Sequence, residues 1–83
     1  MKVEIMGPGC WRCEKTESLV SDVVRKLGIS AEIVKVTDFD EIMNRGVMAT
    51  PAVFINGVKK FEGKIPSESM IRRWLEEESG KSS

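Results

Sequence analysis

Two cysteines and no histidine stand in this 83-residue chain, and both cysteines lie close together, at Cys10 and Cys13. Without histidine, Ser-His-Asp and Cys-His mechanisms and Cys₂His₂ zinc sites are excluded. A disulfide between residues three apart closes too small a loop to staple a domain. A secreted mini-protein held by disulfides carries more cysteines at dispersed spacings. One Cys-x-x-Cys supplies only two soft ligands, so a closed tetrahedral metal site needs a second chain or exogenous thiols. Glu14 directly after Cys13 rules out Cys-x-x-Cys-His haem attachment. No resident metal or other cofactor is therefore expected. The chemistry left is dithiol–disulfide exchange, set against the plainer reading of two small buried apolar residues.

The elements around the pair favour exchange. Lys2 to Met6 reads as a short strand, stopped by Gly7-Pro8-Gly9. Leu19, Val20, Val23, Val24 and Leu27 then recur at helical spacing, with charged and polar residues on the other face. Gly28 stands where a left-handed helix-closing residue belongs. The cysteines thus fall on the first turn of a helix that follows a strand, the end of an open α/β sheet where sites collect. Backbone N–H groups there lack intrahelical partners and stabilise a thiolate, lowering its pKa from about 8.5. The thiolate is the species that attacks a disulfide sulfur. Cys10, nearer the helix end and solvent, is the expected nucleophile. Cys13, one turn in on nearly the same face, is the expected resolving thiol. Arg12 adds positive charge favouring the thiolate, and Trp11 is expected partly exposed beside the site.

Ala31 to Val36 reads as a second strand. Asp38 is a plausible N-cap for a short helix with Glu41 three residues on; Phe39, Ile42 and Met43 form its apolar stripe and Gly46 ends it. Val47 to Thr50 forms a loop into Pro51, a residue tolerated at the first position of a strand. Met48 is either a packing residue or an apolar contact for a partner. Ala52 to Ile55 and Val58 to Phe61 flank Asn56-Gly57, the preferred type I′ hairpin turn. A last helix starts near Ser67 after Pro66, with Met70, Ile71, Trp74 and Leu75 inward, and ends near Glu78. Glu76-Glu77-Glu78 reads as a solvated, fraying helix end. The order β-α-β-α-β-β-α predicts an α/β fold. Its first β-α-β is a right-handed parallel crossover, its hairpin is antiparallel, and helices cover both faces of a mixed four-stranded sheet.

Length allows one small domain, read as residues 1–79 with a flexible tail at 80–83. Leu, Ile, Val and Phe make up 22 of 83 residues, enough for a modest core. Thirteen basic residues balance thirteen acidic ones, which speaks against the broad basic patch of a nucleic-acid binder. Glu4 and the early glycines interrupt any signal-peptide core, and no apolar run approaches the length of a membrane span. A soluble, cytoplasmic protein is expected.

The run from a strand through Gly7-Pro8-Gly9-Cys10-Trp11-Arg12-Cys13 into an amphipathic helix, followed by Thr50-Pro51 opening a hairpin, resembles the thioredoxin fold. More narrowly, residues 2 to 78 are similar to the small, glutaredoxin-sized redox-active disulfide proteins of archaea and bacteria. The resemblance implies a thiol–disulfide oxidoreductase with Cys10 as nucleophile, Cys13 as resolver, and Pro51 as a cis-proline facing the disulfide. The expected protein is a monomer that reduces protein or small-molecule disulfides, the backbone of Ala49 and Thr50 pairing with the bound chain. Thioredoxins carry Trp-Cys-Gly-Pro-Cys; here Gly9 precedes Cys10, and Trp11-Arg12 fill the middle. The double glycine and acidic cap of glutathione-using glutaredoxins survive only as Gly63, Ser67 and Glu68. That weighs against glutathione and points to a thioredoxin-reductase-like flavoenzyme as electron donor. Two other readings of the cysteine pair remain: a soft-metal or iron–sulfur carrier in a dimer, and a redox-sensing regulatory protein. Copper carriers of the Met-x-Cys-x-x-Cys type have methionine where this chain has Pro8.

Overall fold

A computed structural model describes residues 1–9 and 11–80. Its elements follow the expected order: β1 (Lys2–Met6), α1 (Trp11–Leu27), β2 (Glu32–Val36), α2 (Phe39–Asn44), β3 (Ala52–Ile55), β4 (Val58–Glu62) and α3 (Glu68–Gly80). The strands form one sheet in the order β2-β1-β3-β4. β1 runs parallel to β2 and antiparallel to β3, and β3 pairs antiparallel with β4. The central strand β1 is buried on both faces, as its position demands.

Period-2 alternation sorts the core into two layers. Val3 and Ile5 of β1 point to the face covered by α1 and α3, where they meet Val20, Val23, Ile71, Trp74 and Leu75. Met6 points to the opposite face, packing with Val36, Ala52 and Phe54 against Ile42 and Val47 of the α2 region. Helices therefore cover both faces. Trp74 is a core residue, its ring centroid 5.6 Å from that of Phe61.

Local signals hold where they are short-range. Asp38 Oδ1 accepts the N–H groups of Asp40 at 2.9 Å and Glu41 at 3.4 Å, starting α2. Ser67 Oγ accepts the Met70 N–H at 3.2 Å, starting α3. Asn56 and Gly57 both take positive φ, 52° and 84°, the pairing a type I′ turn needs.

Two expectations are corrected. Phe39 and Met43 do not share the apolar stripe of α2: they are 67% and 57% exposed, and Ile42 alone is buried. In a six-residue helix on one sheet face, a single position turns inward. Of the two readings of Met48, its 89% exposure sets aside packing and leaves the other open. Glu78 is not a solvated helix end. It is buried, its carboxylate accepting from Lys60 Nζ at 2.9 Å and from Asn56 Nδ2 at 3.4 Å. A bulge in β4 explains the pair. Val53 faces Phe61 but Phe54 faces Lys59, leaving Lys60 as the extra residue. Lys60 and Phe61, adjacent in sequence, then both reach α3. With this anchor α3 runs on to Gly80. Of the tail expected at 80–83, residues 81–83 lie outside the described residues.

A second buried ion pair had no sequence signal. Glu4, on the α2 face of β1, is held by Arg45 through two bonds, Nη2 to Oε1 at 2.8 Å and Nη1 to Oε2 at 3.1 Å. The Arg45 guanidinium also lies over the Phe54 ring, 4.7 Å from its centroid. It fastens the end of α2, and so the loop that follows, to the sheet.

Candidate active site

β1 ends at Met6, the chain turns through Gly7-Pro8-Gly9, and α1 begins at Trp11. Cys13 is the third residue of α1 and points inward, 1% exposed. Cys10 lies outside the described residues. Trp11 is 67% exposed, as expected, with the Arg12 guanidinium carbon 5.7 Å from its ring centroid. One turn on, the buried Thr16 hydroxyl donates to the Arg12 carbonyl at 2.8 Å, which satisfies it inside the core face of α1.

Gly7 is more than a strand stop. A methyl group built there would fall on Cys13 Sγ, 3.1 Å from Cys13 Cβ and 3.8 Å from Thr50 Cβ. The sulfur thus occupies the space a side chain at position 7 would need, and Thr50 lies within contact distance of the same point. The tertiary fold brings together Gly7 from the end of β1, Cys13 from α1 and Thr50 from the loop before β3. The Thr50–Pro51 peptide is cis, and Pro51 is buried. The resemblance implied this geometry.

A Gly7→Ala substitution is expected to force Cys13 from its position. Overpacking at so close a contact costs about 1–3 kcal/mol, seen as a lowered Tm, and alkylation of Cys13 should become faster. Unchanged melting and labelling would show that Cys13 can re-seat without cost.

An apolar groove of about 180 Å³ adjoins the loop, lined by Pro8, Phe39, Met43, Val47, Met48 and Thr50 among others. It gathers the exposed residues of α2 and of the loop beside the cysteine helix. Ala49 is exposed and Thr50 half-buried on its rim. A larger depression, about 430 Å³, runs between α1 and β2, but it is lined mainly by charged and hydroxyl side chains such as Glu14, Glu17, Asp22 and Arg25. It holds none of the residues gathered around Cys13.

Sequence reasoning named Cys10, Cys13, Thr50, Pro51, Ala49, Met48, Trp11 and Arg12 for the site, and all but Cys10 lie among the described residues. It missed the close fit of Gly7 on Cys13 and the outward face of α2. No local pattern announces either, because both depend on how β1, α1 and α2 lie against one another. Among the described residues there is no cluster of three metal-ligating side chains. No described helix is long and apolar enough to cross a membrane.

The chain is similar in sequence to known proteins. The chain is 48% identical over 73 residues to a thioredoxin of Methanocaldococcus jannaschii, covering 88% of this chain and 84% of that protein. It is 35% identical over 75 residues to a thioredoxin of Methanothermobacter thermautotrophicus, covering 90% and 97%. A probable thioredoxin of Methanothermobacter marburgensis is 28% identical over 75 residues. Residues 1–76 match the thioredoxin domain family, and with a β-α-β-α-β-β-α fold that sets a buried helix-start cysteine against Thr50-Pro51, the chain belongs to that family.

Proposed function

We propose that the protein is a thiol–disulfide oxidoreductase acting on protein disulfides through Cys10 and Cys13. The observation that carries this reading is the burial of Cys13 at the first turn of α1, between Gly7 and Thr50. A thiol so placed is poorly suited to first attack on an external disulfide and well suited to a second, internal step. In the first step the Cys10 thiolate attacks one sulfur of the substrate disulfide. A mixed disulfide forms, and the other substrate sulfur leaves as a thiolate and takes up a proton. In the second step Cys13, as thiolate, attacks Cys10 Sγ, releases the remaining substrate thiol and leaves a Cys10–Cys13 disulfide. Two electrons pass from the dithiol to the substrate, and an external reductant must return them.

The groove beside Thr50 supports a protein substrate, since it offers apolar contact next to loop backbone that an extended chain can pair with. Glutathione use finds less support. Ser67 is engaged in capping α3, and Glu68 pairs with Lys26 Nζ at 2.8 Å. A thioredoxin-reductase-like flavoenzyme is the donor that fits this reading. The protein acts as a monomer in the cytoplasm, where dithiols are kept reduced.

Insulin reduction with dithiothreitol as reductant, run beside metal analysis of the purified protein, tests the reading. Catalysed precipitation of the insulin B chain by metal-free protein is the expected result. Stoichiometric metal with no reductase activity would establish the carrier function instead.

A further inference from the structure

The loop that leads into Pro51 is fastened from outside by the end of β4. Glu62 Oε2 accepts the Met48 N–H at 2.9 Å. Its other oxygen, Oε1, accepts from Lys59 Nζ at 2.8 Å, and Lys59 also donates to the Gly46 carbonyl at 3.4 Å. One residue further, the Gly63 N–H donates to the Pro51 carbonyl at 3.0 Å. Gly63 has φ +92°, a conformation that L side chains rarely adopt, and it lies against the Ala49 methyl group at ordinary contact distance. The bonds to Met48 and Pro51 therefore bracket Thr50, whose Cβ lies 3.8 Å from the point where a methyl group on Gly7 would fall on Cys13 Sγ.

We propose that Glu62 is a positioning residue for thiol–disulfide exchange: by holding the backbone N–H of Met48 it fixes the loop as a rigid edge beside Cys13, onto which an extended segment of a protein disulfide lays its backbone. This rests on the oxidoreductase reading above. Val47 is buried, but the Met48 and Ala49 side chains are exposed, so at these two positions backbone bonds rather than packing order the loop. An N–H that donates to an ionised carboxylate forms a charge-assisted bond, stronger than a neutral one. Lys59 and the Met48 N–H hold the Glu62 carboxyl below the usual glutamate range, which keeps the acceptor ionised. A loop ordered before the substrate arrives loses less freedom on binding, so the benefit belongs to substrate affinity rather than to the chemical step. A small disulfide that spans only the two sulfurs does not draw on it.

The test compares wild type with Glu62→Ala and Glu62→Gln on insulin and on hydroxyethyl disulfide, with dithiothreitol as reductant. Glu62→Ala is expected to raise KM for insulin by about five- to tenfold, with kcat and the rate on hydroxyethyl disulfide changed less than about twofold. Glutamine keeps an oxygen acceptor, so Glu62→Gln should recover most of the lost affinity. Amide hydrogen exchange at Met48 should quicken by on the order of tenfold in Glu62→Ala and stay near wild type in Glu62→Gln. Lys59→Met loosens the carboxylate without removing it and should shift KM the same way by less, which keeps the test open if Glu62→Ala fails to fold. Equal losses on both substrates would overturn the positioning role, as would an unchanged KM with the Met48 amide deprotected. A wild type that reduces neither substrate would instead overturn the oxidoreductase reading, and the role of Glu62 with it.

Discussion

A Cys13→Ser protein is expected to lose turnover of insulin by at least about a hundredfold while accumulating a covalent adduct with the substrate through Cys10. The size follows from the second step. In the wild type the resolving thiol is held within the same chain, and well-placed intramolecular groups act at effective concentrations far above any added thiol, about 10⁵ M or more in favourable cases. Without Cys13, release of the substrate waits for dithiothreitol from solution. Cys10→Ser should lose turnover as well, but without an adduct, because the first bond never forms. Non-reducing electrophoresis separates these outcomes. Adducts of equal yield from both variants would mean either thiol can start the reaction. Full activity in either single variant would end the dithiol mechanism. The burial of Cys13 carries the asymmetry, and alkylation with iodoacetamide below pH 8 should accordingly favour Cys10.

Arg45→Ala is expected to destabilise the fold strongly although it lies away from the cysteines. It strands the Glu4 carboxylate on a buried strand face and removes the guanidinium from the Phe54 ring. Removing one partner of a buried ion pair costs about 3–5 kcal/mol, and since Arg45 is partly solvated here a loss of about 2–3 kcal/mol is expected. For a domain of this size that lowers Tm by about 10–20 °C. The pH dependence has a definite sign. Hydrogen bonds from Arg45 are the chief cause that holds the Glu4 carboxyl below the ordinary glutamate value, against the opposing effect of burial. A carboxyl depressed in the folded state stabilises the fold at neutral pH, and that contribution is lost as pH falls through the folded-state value. The stability gap between wild type and Arg45→Ala should therefore be widest near neutral pH and narrow below the ordinary glutamate range. Urea melts at pH 7 and pH 3 measure it. A paired Glu4→Leu/Arg45→Leu protein should regain most of the loss, because it leaves no buried charge without a partner. Equal stability of wild type and Arg45→Ala at pH 7 would show that the pair contributes nothing net.

Much of this protein was legible before any coordinates. Element order and type came from periodicity and punctuation. Helical spacing from Leu19 to Leu27 marked α1, Asn56-Gly57 marked the hairpin, and Asp38 and Ser67 marked two helix starts. Each is a signal between residues within a few positions of one another, so the local chain is enough to impose it. The chemistry was equally local: two cysteines three apart, after a strand and at a helix start, leave few reactions open. Tertiary structure decided whatever depends on residues far apart in the chain. The pairing of Glu4 with Arg45 spans 41 positions, and the hold of Glu62 on Met48 spans 14. The turn of Lys60 toward Glu78 required a bulge, which shifts side chains by one position without leaving a mark in composition. Phe39 and Met43 read as core by type, yet the sheet leaves room on that face for one side chain of α2, and the other two are left beside the active-site loop. Apolar character is a property of the residue, whereas burial depends on what the rest of the chain places above it.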